Sequence, residues 1–235
     1  MLAAIRSQPA YLLHSRPFRD SSLLLDLITR DHGRISAVAR GVRNRKSKNR
    51  ALLQPFVPLL VNLSGKSELK TLGQVETLSN MPALQQHALF AALYLNELLV
   101  RLLHKQEGDE EVFALYEKAL QELAQHKSLE PVLRAFEIDL LEILGYGLDF
   151  SVLHVRSLGE PEAGYYHYNA EQGFQAVKAE NTDKYYPADE LYRIAQKDFT
   201  QASTLRFAKR LLRSAFAVHL GDKALASRSL FRKNS

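Results

Sequence analysis

Between Ala39 and Leu52 the chain reads ARGVRNRKSKNRAL, which places Arg40, Arg43, Arg45, Lys46, Lys48 and Arg50 within eleven positions and no acid among them. Guanidinium and ammonium groups at this density create a positive field that suits phosphate backbones or acidic partners. The stretch is either a solvated spacer or a surface for a polyanion, and the type of residue alone does not choose between them. Nothing nearby neutralises it, because His32 to Ser67 holds eight Lys/Arg and no Asp or Glu. Residues 1–80 carry thirteen Lys/Arg against five Asp/Glu, whereas residues 81–235 carry eighteen against twenty-one. The net charge of +5 therefore belongs to the N-terminal third.

Other short patterns carry less. Gly65-Lys66-Ser67 echoes the end of a phosphate-binding P-loop, but that motif needs a glycine five residues earlier, where Leu60 stands. Glu68-Leu69-Lys70 has the E-x-K spacing of some metal nucleases, and it equally reads as alternating residues on a strand. The eight histidines are scattered singly, without the convergent pairs a zinc site requires; His154 and His167 come nearest, and no cysteine is available to join them. No Gly-x-Ser-x-Gly elbow or comparable nucleophile signature is present. Tyr165, Tyr166 and Tyr168 could stack bases, although tyrosines so placed commonly cover the core of a small hairpin. Nothing in these patterns recommends a catalytic residue or a metal or cofactor site, and a binding protein rather than an enzyme is expected.

The elements that position the cations are short strands. Apolar runs at 10–18 and 22–29, the turn Arg30-Asp31-His32-Gly33, and an alternating run at 34–40 are followed by a loop at 41–50 and by further runs at 55–64 and 68–78. Five strands in about eighty residues predict a small closed barrel of the oligonucleotide/oligosaccharide-binding (OB-fold) kind, with an SH3-like barrel as nearest competitor. On that reading the basic stretch joins two barrel strands, and Lys66 and Lys70 add to its face. Six to eight cations meeting phosphates predict affinity that falls with salt with a log–log slope of roughly −4 to −7, without base specificity.

Near residue 80 the period changes to 3.6. Helices are predicted at 88–103, at 109–126 with acids in the first turn, and at 128–147 with Ser128 as N-cap and Gly145 and Gly147 as stop signals. The pattern lapses over 148–180, where Asn169 to Gly173 reads as a hairpin turn, and helices resume at 188–197 and 201–220. The expected organisation is α+β: a small β-barrel domain with a phosphate-binding loop over 1–80 and an α-helical domain over 81–235 with a small β-hairpin insertion over 148–180. No stretch is apolar and long enough to span a bilayer, and no export signal is visible, so a cytoplasmic protein is expected. The absence of cysteine agrees with a reducing compartment.

Ordered segments along the chain, among them LLHSRPFRDSSLLLDLIT, HGRISAVARGVR, LYLNELLVRLL, LRAFEIDLLEILGYGLDF and TLRFAKRLLR, resemble the RecO family of bacterial recombination and DNA-repair mediators, from His14 to Phe231. The resemblance implies an N-terminal OB-fold followed by a helical domain, and binding of single- and double-stranded DNA. It further implies annealing of complementary strands and cooperation with RecR to load RecA onto DNA coated with single-stranded DNA-binding protein (SSB), in the RecF pathway at the nucleoid. The DNA-contacting set is then Arg40, Arg43, Arg45, Lys46, Lys48 and Arg50, supported by Arg34, Lys66 and Lys70.

Some relatives carry a four-cysteine zinc module after the long helices, which cannot be transferred to a chain without cysteine. The family also binds the acidic C-terminal tail of SSB through its helical domain. Arg134 is the residue the resemblance assigns to that tail, with Leu98, Leu102 or Leu133 as an apolar wall; the alternative for Arg134 is a helix-surface pair with Glu137. An RNA-binding barrel protein is the alternative function, and a metal nuclease using Glu68 and Lys70 is a third.

Overall fold

The computed structural model describes residues 4–79, 84–105, 108, 110–125, 128–153, 164–178, 184–221 and 223–232. Packing divides the chain into two compact units, residues 1–127 with 225–235, and residues 128–224.

The first unit is built on five strands, β1 (Ile5–Phe18), β2 (Ser22–Thr29), β3 (Gly33–Ala39), β4 (Leu59–Ser64) and β5 (Lys70–Thr77). They form a closed barrel in the order β1-β2-β3-β5-β4. Neighbours are antiparallel except for β3 and β5, whose parallel pairs Ala37↔Lys70 and Val38↔Thr71 join the two halves. This is the OB-type arrangement. The period of two is visible in the core, where Leu12, Leu25, Leu27, Ile35, Ala37, Val61 and Leu63 fill the interior. β4 starts four residues later than the apolar run predicts. Pro55 and Pro58 lack the N–H a ladder needs and Phe56 has a positive φ of 68°, so 53–58 approach the barrel as an irregular segment.

β1 is longer than predicted and irregular, its register shifting between Leu12 and His14. The extra residue, Leu13, turns its carbonyl out of the ladder. Helix α2 (Gln86–Leu102) answers it: Asn96 Nδ2 donates to the Leu13 carbonyl at 2.8 Å. The Tyr116 hydroxyl of α3 (Glu110–Ala124) donates to Asn96 Oδ1 at 2.5 Å, so one buried amide ties barrel and both helices together. Tyr11 packs against Phe113 and Tyr116 with ring centroids 5.5 and 5.3 Å apart.

The second unit holds α4 (Leu129–Ile143), the hairpin β6 (Tyr165–Asn169) and β7 (Gly173–Val177), the short β8 (Tyr186–Pro187), α5 (Ala188–Ala195) and α6 (Ala202–Leu220). Ser128 stands at the N-cap of α4 but makes no side-chain cap hydrogen bond. At the other end Gly145 adopts φ +77° while the Tyr146 N–H reaches the Leu141 carbonyl at 2.8 Å, a Schellman ending. The hairpin turns at the predicted residues, and Tyr166 is buried while Tyr168 lies 5.0 Å from Phe174, so these rings cover the hairpin core. A further short helix, α7 (Arg228–Arg232), lacks a sequence signal and returns to the first unit. Glu97 of α2 holds its start, accepting from the Ala226 and Ser227 N–H groups at 2.8 Å each and from the Ser227 hydroxyl at 2.6 Å.

Candidate nucleic-acid interface

The basic stretch leaves the barrel at the end of β3. Gly41, in the left-handed region at φ +66°, turns the chain out, and Val42 then drops back into the barrel core at 1% exposure. Burial of that valine stabilises the loop's root by about 1.5–3 kcal/mol. From there the backbone closes on itself through Asn44 N–H to Gly41 O (3.1 Å) and Ser47 N–H to Asn44 O (3.0 Å), and runs into the short helix α1 (Asn49–Leu52). The stretch is a folded loop with an apolar anchor, not an extended spacer. Arg40, Arg43, Arg45, Lys46, Lys48 and Arg50 are all exposed on it.

One of the six has a second task. Arg43 donates its backbone N–H to Ser21 O (2.9 Å) and its Nη1 to Arg19 O (3.3 Å) and Asp20 O (3.2 Å), so it fastens the loop to the β1–β2 turn. That turn brings two further exposed cations, Arg16 and Arg19, to the same end of the barrel. Sequence reasoning missed both, because Asp20 lies beside them and places them outside the acid-free window. Outward positions in register across four strands, Arg16↔Leu24, Leu24↔Val38 and Val38↔Thr71, extend a half-apolar row from this corner. Phe18, half-buried, lies 5.2 Å below the Arg19 guanidinium.

Lys70 starts β5 opposite Ala37, three residues before Arg40, and its Nζ donates to Gly65 O at 3.2 Å; Lys66 is exposed in the preceding turn. Glu68 forms an ion pair with Lys105 at 3.3 Å. Among the described residues no group of three or more His, Asp or Glu could hold a metal ion. His167 is exposed on β6, with its ring 6.3 Å from that of Tyr185, and His154 lies outside the described residues.

Arg34 is corrected. Its side chain is only 15% exposed, Nη1 donates to the Val100 and Leu103 carbonyls at 2.5 and 3.2 Å, and Nη2 meets Asp26 at 3.1 Å. It neutralises the orphan carbonyls at the C-terminus of α2 and is spent on holding that helix to the barrel, so it has no donor face for a phosphate. The residues expected to hold the SSB tail lie inside the fold. Arg134 is buried, 8% exposed at its side chain, and paired with Glu137 at 2.7 Å; Leu98 is fully buried at 0% and Leu133 nearly so at 5%. Leu102 is half-buried, and it and Leu98 belong to the first unit, whereas Arg134 and Leu133 belong to the second. Helical spacing selects the apolar stripe correctly but cannot separate a wall open to a ligand from a core.

A closed OB-type barrel whose β3–β4 loop and β1–β2 turn gather exposed cations, with helices packed on its outer face, defines an OB-type barrel protein with a surface suited to polyanions. Residues 3–81 match the model of the Recombination protein O N-terminal domain and residues 85–229 that of the C-terminal domain. The proteins named DNA repair protein RecO from Cellvibrio japonicus, Pectobacterium atrosepticum and Haemophilus influenzae are 48%, 44% and 42% identical to this chain. These matches cover 97%, 96% and 97% of it and 97%, 92% and 96% of the relatives. The chain belongs to the RecO family of DNA repair proteins.

Proposed function

We propose that this chain is a recombination mediator that binds single- and double-stranded DNA without reading sequence, anneals complementary strands and, with RecR, helps load RecA onto DNA coated with SSB. The observation that carries the reading is the folded, Val42-anchored loop with its six exposed cations. Phosphate contact through such a loop positions DNA but does not specify a base, and this suits a protein that must act wherever single strands appear. The contacts are assigned to Arg40, Arg45, Lys46, Lys48 and Arg50, with Arg43 shared between loop anchoring and charge, Lys66 and Lys70 at the β5 side, and Arg16 and Arg19 at the β1–β2 turn. The half-apolar row beside them gives bases a surface to lie on.

The work of such a mediator is exchange of partners driven by binding free energy, so no bond-making residue is called for. The acidic tail of SSB, RecR and RecA are its proposed partners and the nucleoid its proposed place of action. Strand annealing tests the reading, using complementary DNA precoated with the cognate SSB, with and without RecR. Annealing of coated strands, competed by DNA better than by RNA of the same length, is expected. Preference for RNA would replace it with the RNA-binding alternative.

A further inference from the structure

At the end of the barrel away from the basic loop lies a cavity of about 320 Å³, lined by Pro9, Pro58, Leu78 and Phe113 and by the carboxylate-bearing face of α3. Eight positions of β1 separate Ala10 at this cavity from Phe18 at the β1–β2 turn, roughly 25 Å of strand. The two sites differ in charge. Glu110 and Glu117 stand over the cavity, and Arg30, the one cation among its described lining residues, is already engaged by Asp31 at 2.9 Å. Asp31 first and Glu110 after it raise the Arg30 pKa, which places Glu110 within electrostatic reach of that rim. Tyr11 donates to one oxygen of Glu117 at 2.8 Å, and burial and then this carboxylate push the phenol's pKa up, so Tyr11 remains a donor. Leu78, 49% exposed, and Ala114 continue the apolar lining out to the surface.

We infer that this cavity is a docking site for a partner-protein segment in which a Lys or Arg is flanked by apolar side chains. The apolar walls take the flanks and Glu110 and Glu117 take the cation. Acidic rims exclude nucleic acid, so the phosphate-binding end and the partner-binding end of one barrel do not compete. The volume lies at the small end of ligand pockets, which run from about 300 to 1,000 Å³, and suits one or two side chains rather than a cofactor. Proline at positions 9 and 58 removes backbone donors from the wall, leaving recognition to burial and charge.

The test uses the full chain, isotope-labelled, with the capped tripeptide Leu-Arg-Leu as probe and its Leu-Gln-Leu and Leu-Glu-Leu counterparts as controls, followed by amide NMR shifts. Saturable shifts at Leu78, Ala114 and Glu117 are expected, weaker roughly two- to fivefold for the Gln peptide and absent for the Glu peptide. Glu110→Gln with Glu117→Gln, which keeps the acceptor for Tyr11, should lower affinity for the Arg peptide to that of the Gln peptide. Leu78→Ser, at an exposed position, should weaken both the Arg and the Gln peptide. DNA affinity should be unchanged in every variant. No saturable shift at millimolar probe, equal binding of the Arg and Glu peptides, or loss of DNA binding in the pocket variants would overturn the assignment. Because the peptide titration itself contains no DNA, peptide binding is read separately from the mediator reading, and DNA affinity serves as the control on the variants.

Discussion

Two arginines nine positions apart, Arg34 and Arg43, have opposite fates, and the difference lies in what surrounds each. Arg34 points from β3 onto the open carbonyls ending α2 and into Asp26, so its charge is consumed locally. Arg34→Gln should lower stability by about 1–3 kcal/mol in urea unfolding while the folded protein keeps its DNA affinity. Asn96 is a harsher case, since it satisfies the bulge carbonyl of Leu13 and the Tyr116 hydroxyl at once. Asn96→Leu leaves both buried groups unpaired and should cost about 2–4 kcal/mol by the same measurement. Glu97 gives a pH signature. Burial pushes its carboxyl pKa up, but the Ser227 hydroxyl, the Ser227 and Ala226 N–H groups and Arg101 outweigh that and hold it below the usual glutamate range. A depressed folded-state pKa means the stabilisation is fully present above the usual range and is lost as pH falls through the depressed value. The protection factor of the Ser227 amide, its exchange rate taken relative to the unstructured rate at the same pH, should therefore fall on acidification in the native chain, and be already low and independent of pH in Glu97→Ala.

At the scale of elements, the basic loop depends on its anchor as much as on its charge. Arg43→Glu should loosen the loop from the β1–β2 turn and broaden loop resonances, whereas Lys46→Glu should leave the fold undisturbed; matched NMR spectra distinguish them. The five strands and the loop between the third and fourth were legible because each has a strong period or a strong composition: alternation in 34–40, turn chemistry at Arg30 to Gly33, six cations without an acid. The start of β4 was not legible, because apolar character at Pro55 to Pro58 says nothing of missing N–H groups in a ladder. α7 was invisible because the residues that lead into it, Ala226 and Ser227, are held by Glu97, 129 positions away from Ala226, and not by local propensity. The same limit explains Arg134, whose spacing to Glu137 reads identically whether the pair faces water or core.

Across the whole molecule, the sequence changes character near residue 80, yet packing gathers α2 and α3 with the barrel. Tyr11 and Leu13 face outward from the strands and are 2% and 5% exposed only because the helices cover them. A fragment of residues 1–80 should accordingly unfold with lower cooperativity and at lower temperature than the full chain, as followed by circular dichroism. The charge asymmetry first visible as a basic N-terminal third resolves, within one barrel, into a cationic corner at the β3–β4 loop and an acidic cavity at the other end. The central claim is that the cationic corner grips DNA through phosphates, and salt dependence measures it most directly. Binding of single-stranded DNA should weaken with salt, and Arg45→Glu, Lys46→Glu and Lys48→Glu combined should flatten the log–log slope by about 2, from three lost contacts at about 0.7 each. An unchanged slope with unchanged affinity in that variant would contradict the account.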